Sequence, residues 1–64
     1  SVKFNTNGGL DISSIKVVAG KTASLPTPTR HGYVFLGWYF YGSKVTNSTK
    51  INKDMVLVAK WREA

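Results

Sequence analysis

Five of the eight aromatic residues in this 64-residue chain fall within the nine positions Gly32-Tyr33-Val34-Phe35-Leu36-Gly37-Trp38-Tyr39-Phe40. No other stretch carries enough apolar surface to found a core. From Tyr33 the run alternates with the period of two of a strand, setting Tyr33, Phe35 and Tyr39 on one face and Val34, Leu36, Trp38 and Phe40 on the other. Both faces are apolar, so the pattern predicts a central strand covered on both sides, with Gly37 marking a bulge, a tight bend or a close backbone approach. A chain this short buries only about 60% of the surface its unfolded form exposes. It has no cysteine for a disulfide, and its one histidine cannot build a metal site alone. The rings, each burying roughly 150 to 250 Å², therefore have to supply the core.

Around that strand the chain reads as short extended segments joined by turns. Val2-Lys3-Phe4-Asn5-Thr6 alternates with Phe4 as inward anchor, and Asn7-Gly8-Gly9 is a strong turn signal. Asp11 or Ser13 could cap a single helical turn, but nothing after them sustains a helical period. Ile15 to Ala19 reads as a second strand because of its β-branched residues. Thr22 to Leu25 is expected as a short edge strand with Leu25 buried. Pro26 to Gly32 should follow as an ordered connection with room for a helical turn. Tyr41-Gly42-Ser43 is a turn, Lys44-Val45-Thr46 a short strand, Asn47 to Lys50 polar surface and Ile51 an isolated anchor. In the last element Met55, Leu57, Ala59 and Trp61 face the core, while Val56, Val58 and Lys60 face outward. These features predict one domain, α+β or mostly β, with at most one short helix.

Nine Lys and Arg against three Asp and Glu give a net charge of +6, which favours anionic partners without choosing among them. Arg30, Lys44, Lys50, Lys53, Lys60 and Arg62 are the candidate polyanion-binding residues, and Lys3, Lys16 and Lys21 can extend that surface. Trp38, Tyr39, Phe40 and Tyr41 could stack nucleic-acid bases only if exposed, and so small a domain needs most of its rings inside; nucleic acid is disfavoured. His31 is the only candidate general base of the imidazole type, but no Ser, Asp or Cys surrounds it in a recognisable pattern. Asp11, Asp54 and Glu63, the only carboxylates, sit at turns or near the terminus. No catalytic, cofactor or metal residues are expected. No apolar run approaches the roughly 18 residues of a spanning helix, and no signal peptide is evident. Asn47-Ser48-Thr49 fits the N-glycosylation pattern, which matters only in a glycosylating pathway. Strand-like sequence reaching nearly to both ends suggests one unit, residues 1–64, cut from a longer protein.

The order and spacing of these pieces resemble the Listeria-Bacteroides repeat family, the B-repeat type of internalins. The likeness begins at Val2-Lys3-Phe4-Asn5-Thr6-Asn7-Gly8-Gly9, runs through Ile15-Lys16-Val17, Gly20-Lys21, Pro26 and Pro28, and is strongest at Gly32 to Tyr39. It closes at Met55-Val56-Leu57-Val58-Ala59-Lys60-Trp61. The chain departs from many members in Val58, where Tyr is common, and in the short connection after Tyr41. The resemblance implies a mixed sheet of the β-grasp (ubiquitin-like) type and a non-catalytic spacer or adhesin repeat of secreted or cell-surface bacterial proteins. Its implied partners are neighbouring repeats and, in members that aid attachment, host receptors, glycosaminoglycans or wall polymers. A binding module that uses a basic face on polyanions is the alternative reading.

Overall fold

In the computed structural model, which describes all of residues 1–64, the chain forms six strands and no helix. They are β1 (Val2–Asn5), β2 (Lys21–Thr22), β3 (Tyr33–Phe40), β4 (Ser43–Val45), β5 (Lys50–Ile51) and β6 (Met55–Glu63). Four make a mixed sheet in the order β1-β6-β3-β4, in which β1 runs parallel to β6 and the other pairs are antiparallel. β2 and β5 form a separate antiparallel ribbon.

The core lies on one face of the main sheet. It gathers Val2, Trp38, Val45, Ile51, Met55, Leu57 and Ala59, with Phe4, Phe35, Phe40 and Trp61 packed around them. Met55, Leu57 and Ala59 are buried while Val56, Val58 and Lys60 are exposed, as the alternation of the last element predicts. Trp38 sits at the centre, 4.8 Å from the ring of Phe4 and 5.4 Å from that of Phe35, and Phe35 in turn meets Trp61 edge-on at 5.4 Å.

That Phe35 and Trp38 share a face departs from simple alternation, and the cause is the bulge. Phe35 pairs with Trp61 and Gly37 with Lys60, so Leu36 is the extra residue and the face of every later side chain is reversed. Without it Trp38 would point away from the core. The expectation that β3 is covered on both faces fails for the same sheet: β3 is interior in strand order, yet Val34 and Leu36 on its far side are 38% and 37% exposed.

Three other expectations are corrected. Ile15 to Ala19 is not a strand; only Ile15 pairs, exchanging both backbone hydrogen bonds with Val2 at 2.8 and 2.9 Å. Antiparallel to β1, that register places residues after Lys16 beyond the first strand residue, so they have no β1 residue opposite. The pairing expected at Thr22 to Leu25 lies instead at Lys21–Thr22, and Leu25 is only half-buried. No helical turn forms at Asp11 to Ser14 or within Pro26 to Gly32.

The long connections are held by side-chain and isolated backbone hydrogen bonds in place of regular structure. Trp38 Nε1 donates to the Pro26 carbonyl and Trp61 Nε1 to the Thr6 carbonyl, both at 2.8 Å. Leu25 N donates to Asn47 Oδ1, and Leu10 N to the Thr29 carbonyl. No buried side-chain polar atom lacks a partner.

The β3–β4 hairpin turns on Tyr41 and Gly42, with φ of 46° and 83°. Two positive φ values define a type I′ turn, whose first central position suits Asn far better than a bulky residue. Tyr41 is 94% exposed and meets the Phe40 ring edge-to-face, with centroids 4.6 Å apart. Relief of backbone strain in Tyr41→Asn, worth about 1 kcal/mol, should outweigh loss of that exposed contact. The melting temperature is expected to rise by a few degrees, and a fall would show that the Tyr41 ring stabilises the hairpin.

Candidate interaction surface

Alternation within each strand, together with the registers, places a second set of residues on the face opposite the core. Lys3 opposes Val56, Lys44 and Val58 flank Tyr39, Lys60 opposes Gly37, and Arg62 opposes Val34. Gly37 carries no side chain, so the Lys44 stem crosses above it; its Cε lies 2.9 Å from where a Cβ would stand. From the other flank Lys60 brings Nζ to 5.0 Å from the Tyr39 ring, within cation–π range. The result is a strip of valines and one tyrosine bordered by four cations. Glu63 alternates to the other face and Asp11 lies in a loop; the one carboxylate at its border is Asp54, just before β6, which lines surface hollows with Lys3, Val56 and Val58 and pairs with the Ser1 ammonium.

Of the six residues singled out from the sequence, Lys44, Lys60 and Arg62 therefore meet on this face. Arg30, Lys50 and Lys53 do not join them. Arg30 lays its guanidinium over the Tyr33 ring at 3.7 Å, Lys50 belongs to the β2–β5 ribbon, and Lys53 sits 5.2 Å from the Phe40 ring. Lys3, one of the three lysines that could extend the basic surface, does join this face, and Tyr39 is placed on it by the strand registers.

A groove of about 770 Å³ opens at the other end of the sheet, between Gly8 to Leu10 and Thr27 to His31, with Tyr33, Phe35 and Trp61 as its floor. Gly9 is part of its construction: a Cβ there would stand 2.8 Å from Trp61 Cζ2 and 2.9 Å from the Thr29 carbonyl oxygen. His31 lines the groove, but no carboxylate or thiol does, so the arrangement supplies no orienting partner for a general base. No cluster of three or more His, Cys, Asp or Glu could hold a metal ion. The Asn47 of the glycosylation pattern is engaged structurally, through its carboxamide oxygen on Leu25 N. No helix is long and apolar enough to cross a membrane.

The one ion pair joins the Ser1 ammonium to Asp54 Oδ1 at 2.6 Å, and it holds only while Ser1 carries a free ammonium, since the nitrogen of a preceding peptide bond would carry no charge. The hydrogen bond from that ammonium, then its charge, and more weakly the charge of Lys3, hold the Asp54 carboxyl below its ordinary range. A lowered folded-state pKa contributes stability above the unfolded value, about 3.9 for Asp, and that contribution is lost as pH falls through the folded value. Acetylating Ser1 should raise the Asp54 titration midpoint in an NMR pH series. An unchanged midpoint would show that the pair does not form in solution.

The Listeria-Bacteroides repeat domain model matches residues 1–60. Two proteins of Evansella cellulosilytica, a putative membrane protein and a putative Gly-rich membrane protein, are each 33% identical over 67 aligned residues. Both alignments cover 95% of this chain but only 10% and 8% of the relatives' lengths. The chain thus spans about a tenth of the length of these relatives, and it belongs to the Listeria-Bacteroides repeat family, a family of non-catalytic repeat modules.

Proposed function

We propose that this domain is a structural repeat, a spacer set in series within a secreted or cell-surface bacterial protein, with neighbouring repeats as its first partners. The observation that carries this reading is the path of the chain. Because β1 is parallel to β6 and Val2 lies beside Met55, the chain enters at the start of β6 and leaves at its end. Eight residue steps of about 3.3 Å put these points about 26 Å apart, along a body whose longest extent is 35 Å. Copies joined through such ends extend an array efficiently. The family match and the small share of the relatives that the domain covers support the same reading. The strand order also supports the β-grasp assignment: with Ile15 counted as the remnant of a second strand beside β1, parallel terminal strands lie inside a mixed sheet.

The basic outer face favours a second reading, a binding module for acidic glycans, wall polymer or a host receptor. One experiment separates the two: retention of the domain on immobilised heparin and on bacterial wall polymer as salt rises from about 0.05 to 0.5 M, a range in which the Debye length shortens to well below 10 Å. A spacer with a solvated basic surface should be released by physiological salt. Removing Lys44, Lys60 and Arg62 together should then weaken retention no more than removing Lys16, Lys21 and Lys50, an equal loss of charge. Saturable retention above that salt, abolished only by the first triple change, would establish the binding reading instead.

A further inference from the structure

The geometry points to a mechanical function: we propose that the parallel β1–β6 pair is a shear clamp that resists tension applied between the two ends of the domain. This rests on the reading of the domain as a link in series.

Tension between Ser1 and Ala64 pulls β1 toward its own N-terminus and β6 toward its own C-terminus. The strands are parallel neighbours, so these pulls slide one along the other. The hydrogen bonds of a parallel pair are evenly spaced and bridge the strands at a slant, and sliding loads the rungs from Val2–Met55 to Asn5–Val58 together. A pull that separated the same strands from one end would load the rungs singly.

The side chains add a second resistance. Val2 and Leu57 are fully buried and Phe4 packs on Trp38, so sliding drags close-packed groups past one another. β6 is held on both edges, by β1 and by β3. β1 is held by β6 and, at Val2 alone, by Ile15. The β1–β6 seam is therefore where the domain yields.

The chain contains no cysteine, which allows handles to be attached at chosen pairs of positions. Ser1→Cys with Ala64→Cys sets the pulling axis along the clamp. Leu10→Cys with Ala64→Cys sets it across one end, because Leu10 and Trp61 line the same groove and Ala64 N donates to the Gly32 carbonyl beside it. Ser1, Leu10 and Ala64 are exposed, so neither pair of substitutions removes a buried side chain, and the melting curves of the two variants should coincide. In optical-tweezer pulling, where the unfolding rate governs the outcome, the end-to-end axis should unfold at a severalfold higher force than the Leu10 axis. Equal forces, or a weaker end-to-end axis, would overturn the clamp. The spacer reading would fail differently, by cluster-dependent retention at high salt, which the pulling result leaves untouched.

Discussion

Trp38→Ala is expected to remove most of the stability of this domain. Trp38 is 2% exposed, lies between Phe4 and Phe35, and donates its Nε1 hydrogen to the Pro26 carbonyl. Truncating a buried large aromatic costs about 3 to 5 kcal/mol. At about 0.05 to 0.15 kcal/mol per residue, a chain of this length holds only some 3 to 10 kcal/mol in total. The variant should be largely unfolded at 37 °C, or melt tens of degrees lower by circular dichroism. Trp38→Phe separates the two contributions, since it keeps a ring in the core but leaves the Pro26 carbonyl without its donor, at about 1 to 3 kcal/mol. An unchanged melting curve for Trp38→Ala would mean that the ring does not hold the core.

The sequence made this residue visible because aromatic concentration in a short chain leaves few choices of core. It did not show which way Trp38 faces. Alternation from Tyr33 puts it with Val34 and Leu36, and one bulged residue reverses the assignment. The last strand was legible throughout, as its alternation is unbroken from Met55 to Trp61. The middle of the chain was not. Ile15 to Ala19 has the composition of a strand, but a strand also needs a partner in register, and only Val2 supplies one. The candidate surface shows the same division. Positive charge was plain from composition, whereas the meeting of Lys3, Lys44, Lys60 and Arg62 depends on β1, β4 and β6 being brought around β3 from distant parts of the chain.

Gly37→Val should be the most damaging change outside the buried side chains, through backbone conformation. Gly37 has φ of +145°, which L-residues rarely adopt, at a cost of about 1 to 3 kcal/mol for a residue held there. The chain could escape that strain only by removing the bulge, and the resulting slip would turn either Phe35 or Trp38 out of the core. Either route should lower the melting temperature sharply, and in the second the near-ultraviolet circular dichroism of the tryptophans should collapse as well. The close approach expected of this glycine is real but comes from the flexible Lys44 stem and not from backbone. That distinction can be measured by comparing Gly37→Ala in the parent with Gly37→Ala in a Lys44→Ala background. If φ sets the cost, the two should be destabilised equally. Rescue by Lys44→Ala would instead place the cost in crowding on the outer face, and the bulge would then tolerate a side chain wherever the lysine is absent.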